Sequence, residues 1–189
     1  MSLILITGGA RSGKSHFAQQ HAAAWGDDVV FVATAEARDA DMAARIRQHQ
    51  RERPAHWRTL EVPLTVAQAL RNAPPAPVVL LDCVTLWVTN LLLREGATWE
   101  AAEHELDALL AWYRATPVTL LMVTNEVGLG IVPADAVSRM FRDWLGRFNQ
   151  RLAAEADAVY LMVAGLAVEV KALARRPLAE GLTGTARLG

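Results

Sequence analysis

A glycine-rich segment constrains the fold more than any other feature of the chain. It follows a short apolar run at residues 3–7 and opens a stretch of helical pattern, and it fits GxxxxGK followed by Ser or Thr. Glycines let consecutive amide N–H groups turn toward phosphate oxygens, and the start of a helix adds partial positive charge. The alternative is an accidental turn that binds no nucleotide. The predicted phosphate-binding loop comprises Gly8, Gly9, Ala10, Arg11, Ser12, Gly13, Lys14 and Ser15.

Apolar runs without polar alternation recur along the chain, as is typical of strands buried on both faces of a parallel sheet. Helical segments separate these runs, which predicts right-handed βαβ crossovers. The run at 166–170, which follows Ala164 and Gly165, predicts a hairpin with an antiparallel edge strand. The predicted strands are residues 3–7, 29–33, 78–82, 118–124 and 158–163, and the predicted helices are residues 14–25, 39–53, 85–94, 99–114 and 135–155.

These elements predict an α/β fold of the P-loop NTPase type, with a RecA-like, mostly parallel sheet between two layers of helices. We expect one nucleotide-binding domain over residues 1–173. From residue 174 to 189 the pattern lapses into Arg, Pro, Gly and Thr, which predicts a flexible tail.

Charge and cysteine content exclude several classes of protein. The nineteen Lys and Arg residues nearly balance the twenty Asp and Glu residues, so no overall basic footprint for nucleic acid exists. Cys83 is the single cysteine, which excludes an internal disulfide and fits a reducing compartment. The most apolar stretch, residues 78–93, is interrupted by polar side chains. We therefore expect a cytoplasmic protein with no membrane span and no nucleic-acid partner.

The loop predicts a site for nucleotide phosphates and magnesium. Lys14 is expected to bridge the β- and γ-phosphates, and the Ser15 hydroxyl to hold Mg²⁺. Asp82 ends the apolar strand at 78–82, where it could orient the metal directly or through water. Alternatively, Asp82 and Thr85 precede an apolar helical run and would cap that helix.

The second predicted helix carries a cationic row that includes a histidine. Arg45, His49 and Arg53 are spaced four residues apart, which would place them along one helix face. Flanking positive charges disfavour protonation of the imidazole, so His49 would be available as a nucleophile while the arginines bind a triphosphate. The structural alternative is that His49 covers the edge of the core, because Met42 and Ile46 precede it at helical spacing.

Further segments resemble those of one known family over about residues 3–171. The glycine-rich loop alone is shared by many families, whereas the segment at 124–133 and the arginine and histidine helix with its trailing Trp57 are far more specific. The matching segments are residues 7–15, 33–35, 42–46 with His49, 53–57, 61–63, 82–83, 124–133, 141–143 and 149–153. The chain resembles the bifunctional adenosylcobinamide kinase / adenosylcobinamide-phosphate guanylyltransferase family of cobalamin assembly.

The resemblance implies an enzyme with two steps. It would phosphorylate the aminopropanol hydroxyl of adenosylcobinamide with ATP or GTP, and then transfer GMP from GTP to that phosphate. His49 is implied as the residue that becomes guanylylated, and a homotrimer as the assembly. The catalytic residues would be His49 and Lys14, and Ser15 and Asp82 would hold Mg²⁺. Outside the loop, the implied nucleotide-binding residues are Ala33, Thr34, Ala35, Arg45, Gln50, Arg51, Glu52, Arg53, Glu61 and Asp82.

Two other functions remain as alternatives. One is a simple P-loop kinase of a small metabolite, without guanylyl transfer. The other is a nucleotide-driven switch or transport ATPase. Against the switch, the fourth predicted strand leads into Thr124-Asn125-Glu126-Val127, not the Asn-Lys-x-Asp pattern of guanine switches, and no second large domain is expected.

Overall fold

Seven strands form one sheet in the computed structural model, which describes residues 1–174. The order in the sheet is β3-β2-β4-β5-β1-β6-β7. All neighbouring pairs are parallel except β6 with β7, which is antiparallel. The strands are β1 Ser2–Gly8, β2 Val29–Ala33, β3 Arg58–Glu61, β4 Val78–Asp82, β5 Thr119–Val123, β6 Ala158–Val163 and β7 Leu166–Glu169. The predicted fold class and edge hairpin are confirmed.

Helices cover both faces of this sheet. They are α1 Lys14–Trp25, α2 Ala40–Glu52, α3 Val66–Asn72, α4 Val84–Leu93, α5 Trp99–Arg114, α6 Ala136–Glu155 and α7 Val170–Leu173. Residues 175–189 of the predicted tail lie outside the described residues. Within residues 1–174, no helix combines the length and apolarity needed to cross a bilayer.

The core divides into two clusters because side chains alternate across a strand. Leu3 and Leu5 of β1 belong to the cluster under α3, α4, α5 and α6, whereas Ile4 and Ile6 belong to the cluster under α1. Burial on both faces accounts for the absence of polar alternation in the central strands. These two layers hold the sheet rigidly, so that residues at its edges are positioned by packing.

Polar side chains set the starts of the long helices. Asp39 accepts a hydrogen bond from the amide of Met42 at 2.7 Å, and Asp135 accepts one from the amide of Ser138 at 2.7 Å. Both aspartates are N-caps, so α2 and α6 begin one residue later than predicted.

Three short elements were not predicted from the sequence. β3 alternates half-buried and exposed residues because it is an edge strand. α3 and α7 have only seven and four residues, too few for a helical repeat to stand out. Of the three, β3 matters most for function because it ends at Glu61.

The parallel strands bring their carboxyl ends to one edge of the sheet. Ala33 pairs with Glu61 of β3 on one side and with Asp82 of β4 on the other. Asp82 pairs in turn with Val123, and β1 on the far side of β5 ends at Gly8. The glycine-rich loop and the acidic strand ends therefore share one edge, with a single strand between β1 and β4.

The β6–β7 hairpin contacts the glycine-rich loop directly. Its two-residue turn, Ala164 and Gly165, has φ of 51° and 84°, as tight hairpins require. The Gly165 amide donates a 3.0 Å hydrogen bond to the carbonyl oxygen of Ser12. The outermost hairpin of the sheet thus braces the phosphate-binding loop.

Gly8→Ala should destabilise the fold by at least about 2 kcal/mol. Gly8 has φ of +143°, and a Cβ there would lie 2.5 Å from the Met162 carbonyl oxygen. Urea unfolding measures the change. The matched control is Gly146→Ala, a helical site where a Cβ meets nothing within 4 Å; it should gain about 0.5–1 kcal/mol. Equal stability of the two variants would contradict the argument.

Candidate phosphate and nucleotide site

The glycine-rich loop turns directly into α1. Gly13 is the N-cap of α1 and has φ of 93°, a left-handed conformation that favours glycine. The Phe17 amide donates to the Gly13 carbonyl at 3.0 Å and begins the helical ladder. The amides of the first turn have no carbonyl partner within the helix, so they are available to a phosphate at the start of α1.

The Lys14 side chain folds back from the start of α1 onto the glycine-rich loop. Its Nζ donates to the carbonyl oxygen of Gly9 and to the Ser12 hydroxyl, the latter at 3.5 Å. Burial lowers the pKa of Lys14, and the nearby Asp82 carboxylate opposes that shift. The ammonium is thus a partly desolvated charge whose interaction with a phosphate would be stronger than in bulk water.

Several charged and polar side chains at the carboxyl edge of the sheet lie near the carboxylate of Asp82. Burial raises the pKa of this carboxyl, while the Ser15 hydroxyl and the charges of His49, Arg53 and Lys14 act in the opposite direction. Its Oδ2 atom is buried without a hydrogen-bond partner. Four predicted site residues therefore lie around one carboxylate: Lys14 and Ser15 of α1, and His49 and Arg53 at the end of α2.

The environment of Asp82 fits a divalent cation better than a helix cap. α4 has Cys83 as its N-cap, and no side chain caps it, so the capping alternative is wrong. A buried carboxylate oxygen without a partner is a costly group unless a cation meets it. Mg²⁺ needs only one or two protein oxygens when phosphates and water complete its shell. Ser15 and Asp82 could supply those oxygens.

Thr34 holds the chain immediately after Asp82. Its hydroxyl donates to the Cys83 carbonyl at 2.7 Å and accepts from the Cys83 amide at 3.0 Å. Thr34 is fully buried, and burial also raises the pKa of the Cys83 thiol to about 12. The Thr34 hydroxyl therefore positions the end of β4 from inside the protein.

Asn90 is a site residue that sequence reasoning missed. This buried side chain donates to the carbonyl oxygens of Thr34 at 2.7 Å and Pro63 at 3.1 Å, and accepts from Arg38 at 3.1 Å. It thereby ties together the loops that follow β2 and β3. The only signal in the sequence was an amide side chain in a helix whose other residues are apolar or threonine.

The predicted cationic row does not continue through Arg53. α2 ends at Glu52, and Arg53 has an extended backbone as its C-cap, so the third member leaves the helix face. Its guanidinium carbon lies 3.4 Å from the centre of the Phe31 ring, and one nitrogen donates to the Thr59 hydroxyl at 2.6 Å. Burial lowers the pKa of Arg53. The prediction that all three residues lie along one face of the helix was therefore wrong, although Arg53 lies near Asp82.

The end of α2 meets the end of β3. Gln50 donates to the carboxylate of Glu61 at 3.4 Å, and His49 is half-buried beside it. The Ala33 carbonyl accepts from the Val62 amide at 2.8 Å, and Ala35 follows in the next loop. The remaining predicted residues are exposed on α2 and are not brought into this cluster: Arg45, Arg51 and Glu52.

A second polar network joins the end of β5 to the site. The buried Thr124 hydroxyl donates to Asn149 at 2.7 Å, and Asn149 donates to the Asn125 carbonyl at 3.0 Å. The Asn125 amide donates to Thr85 at 2.8 Å, which is the actual role of that threonine. These hydrogen bonds hold the start of the segment at residues 124–133 at the edge of the sheet that carries the glycine-rich loop.

Comparison with known proteins identifies the family. The family model described as cobinamide kinase / cobinamide phosphate guanyltransferase matches residues 4–170. The chain belongs to this family. The bifunctional adenosylcobalamin biosynthesis protein CobU of Salmonella typhimurium is 45% identical, over 89% of this chain and 99% of its own.

Two further relatives agree with that assignment. CobU of Escherichia coli is 44% identical over 89% of this chain and 99% of its own, and CobP of Pseudomonas aeruginosa is 45% identical over 88% and 96%. Both are described as bifunctional adenosylcobalamin biosynthesis proteins. Membership of the cobinamide kinase / guanyltransferase family confirms the resemblance found in the sequence.

Asp82→Asn should stabilise the fold increasingly as pH rises. Because burial raises the pKa of Asp82, its contribution to stability is complete below the unfolded value of about 4 and is lost as pH rises through the higher folded value. The asparagine side chain does not ionise, so the variant does not lose this stability as pH rises. Urea unfolding without metal, at several pH values above about 4, measures the difference.

The control for this measurement is Asp27→Asn, which changes an exposed carboxylate. It controls for the loss of one negative charge, and it should change the free energy of unfolding by no more than about 0.5 kcal/mol, as is usual for a surface substitution. A pH-independent difference for Asp82→Asn would contradict the buried environment described above.

Proposed function

We propose that the protein phosphorylates the aminopropanol hydroxyl of adenosylcobinamide with ATP or GTP, and then transfers GMP from GTP to the new phosphate. The products are adenosylcobinamide-GDP and pyrophosphate. Family membership supports the pair of reactions. The observation that carries the proposal for this chain is the cluster of Lys14, Ser15, His49 and Arg53 around Asp82.

In the first step, the acceptor hydroxyl forms a bond to the γ-phosphorus while the bridging P–O bond breaks, and a nucleoside diphosphate and a proton are released. This chain contributes positioning and charge, since phosphoryl transfer needs little covalent chemistry from the protein. Amides of residues 8–15 bind the phosphate oxygens. Lys14 stabilises the charge on the transferred group and the leaving oxygen.

Ser15 and Asp82 would hold magnesium, which, when bound, neutralises phosphate charge during transfer. Ser15 is the second residue of α1, and Asp82 is the last residue of β4. Thr34 supports the carboxylate by fixing the backbone of Cys83. The hydroxyl is therefore held by a helix, and the carboxylate by a strand of the buried sheet.

In the second step, an imidazole nitrogen of His49 attacks the α-phosphorus of GTP and pyrophosphate leaves. The phosphate oxygen of adenosylcobinamide phosphate then attacks the same phosphorus and breaks the P–N bond, which restores the histidine. The neutral imidazole makes the first attack, so only the second attack brings two phosphate groups together. Arg53 lies close enough to reduce the remaining repulsion, and Glu61 and Gln50 form the adjoining wall of the nucleotide site.

We also propose the homotrimer that the resemblance implies, in the cytoplasm. Val163, Leu166 and Leu173 of the edge hairpin and α7 are 56%, 72% and 72% exposed. An apolar sheet edge of this kind tends to pair with another chain. Assembly at this edge would cover these side chains.

His49→Asn should abolish GMP transfer and preserve phosphorylation of cobinamide, because only the second step uses the imidazole as a nucleophile. Mass spectrometry after incubation with GTP alone should find one GMP on the wild type and none on the variant. His104→Asn, an exposed histidine on α5, serves as a neutral control, and His56→Asn tests whether the exposed histidine that follows α2 acts as the nucleophile instead. Retained GMP transfer in His49→Asn would reject its role, and an unlabelled wild type would favour a simple kinase.

Lys14→Ala should lower kinase turnover by about 10²- to 10³-fold, the effect of removing one group that stabilises transition-state charge. Unfolding in urea should change much less, because the side chain makes few contacts beyond the loop. Steady-state assays with ATP and cobinamide measure the loss. Lys14→Arg keeps the charge but not the compact ammonium, and should recover only part of the rate. Full activity of Lys14→Ala would contradict the assignment.

A further inference from the structure

A polar cleft lies beside the phosphate site, on the other side of the segment that follows β5. Its volume is about 320 Å³, within the range of small-molecule sites. Gly128 forms one wall and α6 forms the other. The α6 residues that line it are Arg142, Asp143, Gly146, Arg147 and Gln150.

Hydrogen bonds connect this cleft to the glycine-rich loop. The Gly128 amide donates to the Glu126 carboxylate at 2.9 Å, and the Glu126 amide donates to the Gly8 carbonyl at 3.2 Å. On the helix side, Asn149 adjoins Gln150 and binds the Asn125 carbonyl. The cleft is therefore connected to the glycine-rich loop through Glu126, so a molecule in it would lie near the predicted phosphate site.

The lining offers both donors and acceptors. Arg147 packs with its guanidinium carbon 4.9 Å from the centre of the Trp99 ring, which leaves its N–H edges available. Arg142 binds Asp143 at 3.1 Å, so its charge is partly balanced. Gln150 supplies one donor and one acceptor group. A mixed set of this kind matches primary amides better than it matches a bare anion.

Gly146 keeps the floor of the cleft open. A glycine inside a helix costs stability, and a Cβ at this position would meet nothing within 4 Å. Internal packing therefore does not require the glycine. A glycine at this position instead leaves room for a ligand against the helix.

Apolar side chains extend from the rim of the cleft. Leu129 and Ile131, which follow Gly128, are 90% and 97% exposed. A corrinoid has an apolar macrocycle fringed with acetamide and propionamide groups. An apolar rim beside an amide-binding cleft matches that combination.

We propose that the cleft between Gly128 and α6 binds peripheral amides of the corrinoid substrate, with the macrocycle against Leu129 and Ile131. The proposal rests on the kinase and guanylyltransferase activity proposed above. In this arrangement the corrinoid lies beside β5, next to the glycine-rich loop, and the guanine nucleotide lies farther along the same edge of the sheet, at β2 and β3. The aminopropanol arm then extends across the sheet edge toward Lys14.

The test uses Gly146→Gln, which fills the cleft, and Gln150→Ala, which removes one amide partner. Each should raise the KM for cobinamide in the kinase step, by about tenfold or more for Gly146→Gln and about fivefold for Gln150→Ala. The KM for ATP and the GMP labelling of the enzyme by GTP alone should stay within about twofold. Gln68→Ala, an exposed glutamine on α3, is the matched control.

The outcomes separate this proposal from the activity itself. Normal labelling by GTP with an unchanged KM for cobinamide overturns the corrinoid cleft and leaves the two-step activity intact. A rise confined to the KM for cobinamide phosphate in the second step overturns the amide assignment, because the cleft would then bind the phosphate. Failure of the wild type to phosphorylate cobinamide or to label with GTP would overturn the activity, whatever the variants do.

Ile131→Ser tests the rim separately. The KM for cobinamide should rise about threefold, from loss of apolar contact, while the molar mass measured by light scattering stays that of the wild type. A changed molar mass with an unchanged KM would show instead that a second copy of the chain covers Leu129 and Ile131, and would overturn their assignment to the macrocycle.

Discussion

Burial of the sheet on both faces is the constraint on which the rest of the structure depends. Apolar side chains on alternate sides of β1 require a helix layer above and below, and crossover helices make neighbouring strands parallel. The carboxyl ends of parallel strands lie at the same edge of the sheet. The glycine-rich loop, Asp82 and Glu61 meet at one edge because three strands run in the same direction, although 74 residues separate Gly8 from Asp82 in the numbering.

Charge at this edge is held in place before any ligand arrives. Asp82 and Lys14 are both partly deprived of water, and each is anchored by backbone that cannot relax without disturbing the sheet. Fixed charges in such a setting act on a bound phosphate without reorganising. The arrangement costs stability in the free protein, and that cost is what a metal ion and a nucleotide would relieve.

The parts of the site that the sequence predicted are those with strong local signals. The loop motif lies at a strand-to-helix junction, and Asp82 follows four apolar residues, so both positions follow from short windows of sequence. Helical spacing failed at Arg53 because α2 stops at Glu52, and the Arg53 guanidinium stacks on the Phe31 ring. Asn90 and Asn149 were missed because their partners are remote in sequence, and β3 because an edge strand lacks an apolar run.

The hydrogen bond between Gly165 and Ser12 connects two regions with different tasks. One is the outer hairpin, whose apolar side chains face solvent, and the other is the backbone that cradles phosphate. In the trimer proposed above, contact of another subunit with the hairpin would therefore be thermodynamically linked to occupancy of the phosphate-binding loop. By reciprocity, whatever free energy nucleotide binding contributes to association of the subunits, association returns to nucleotide affinity.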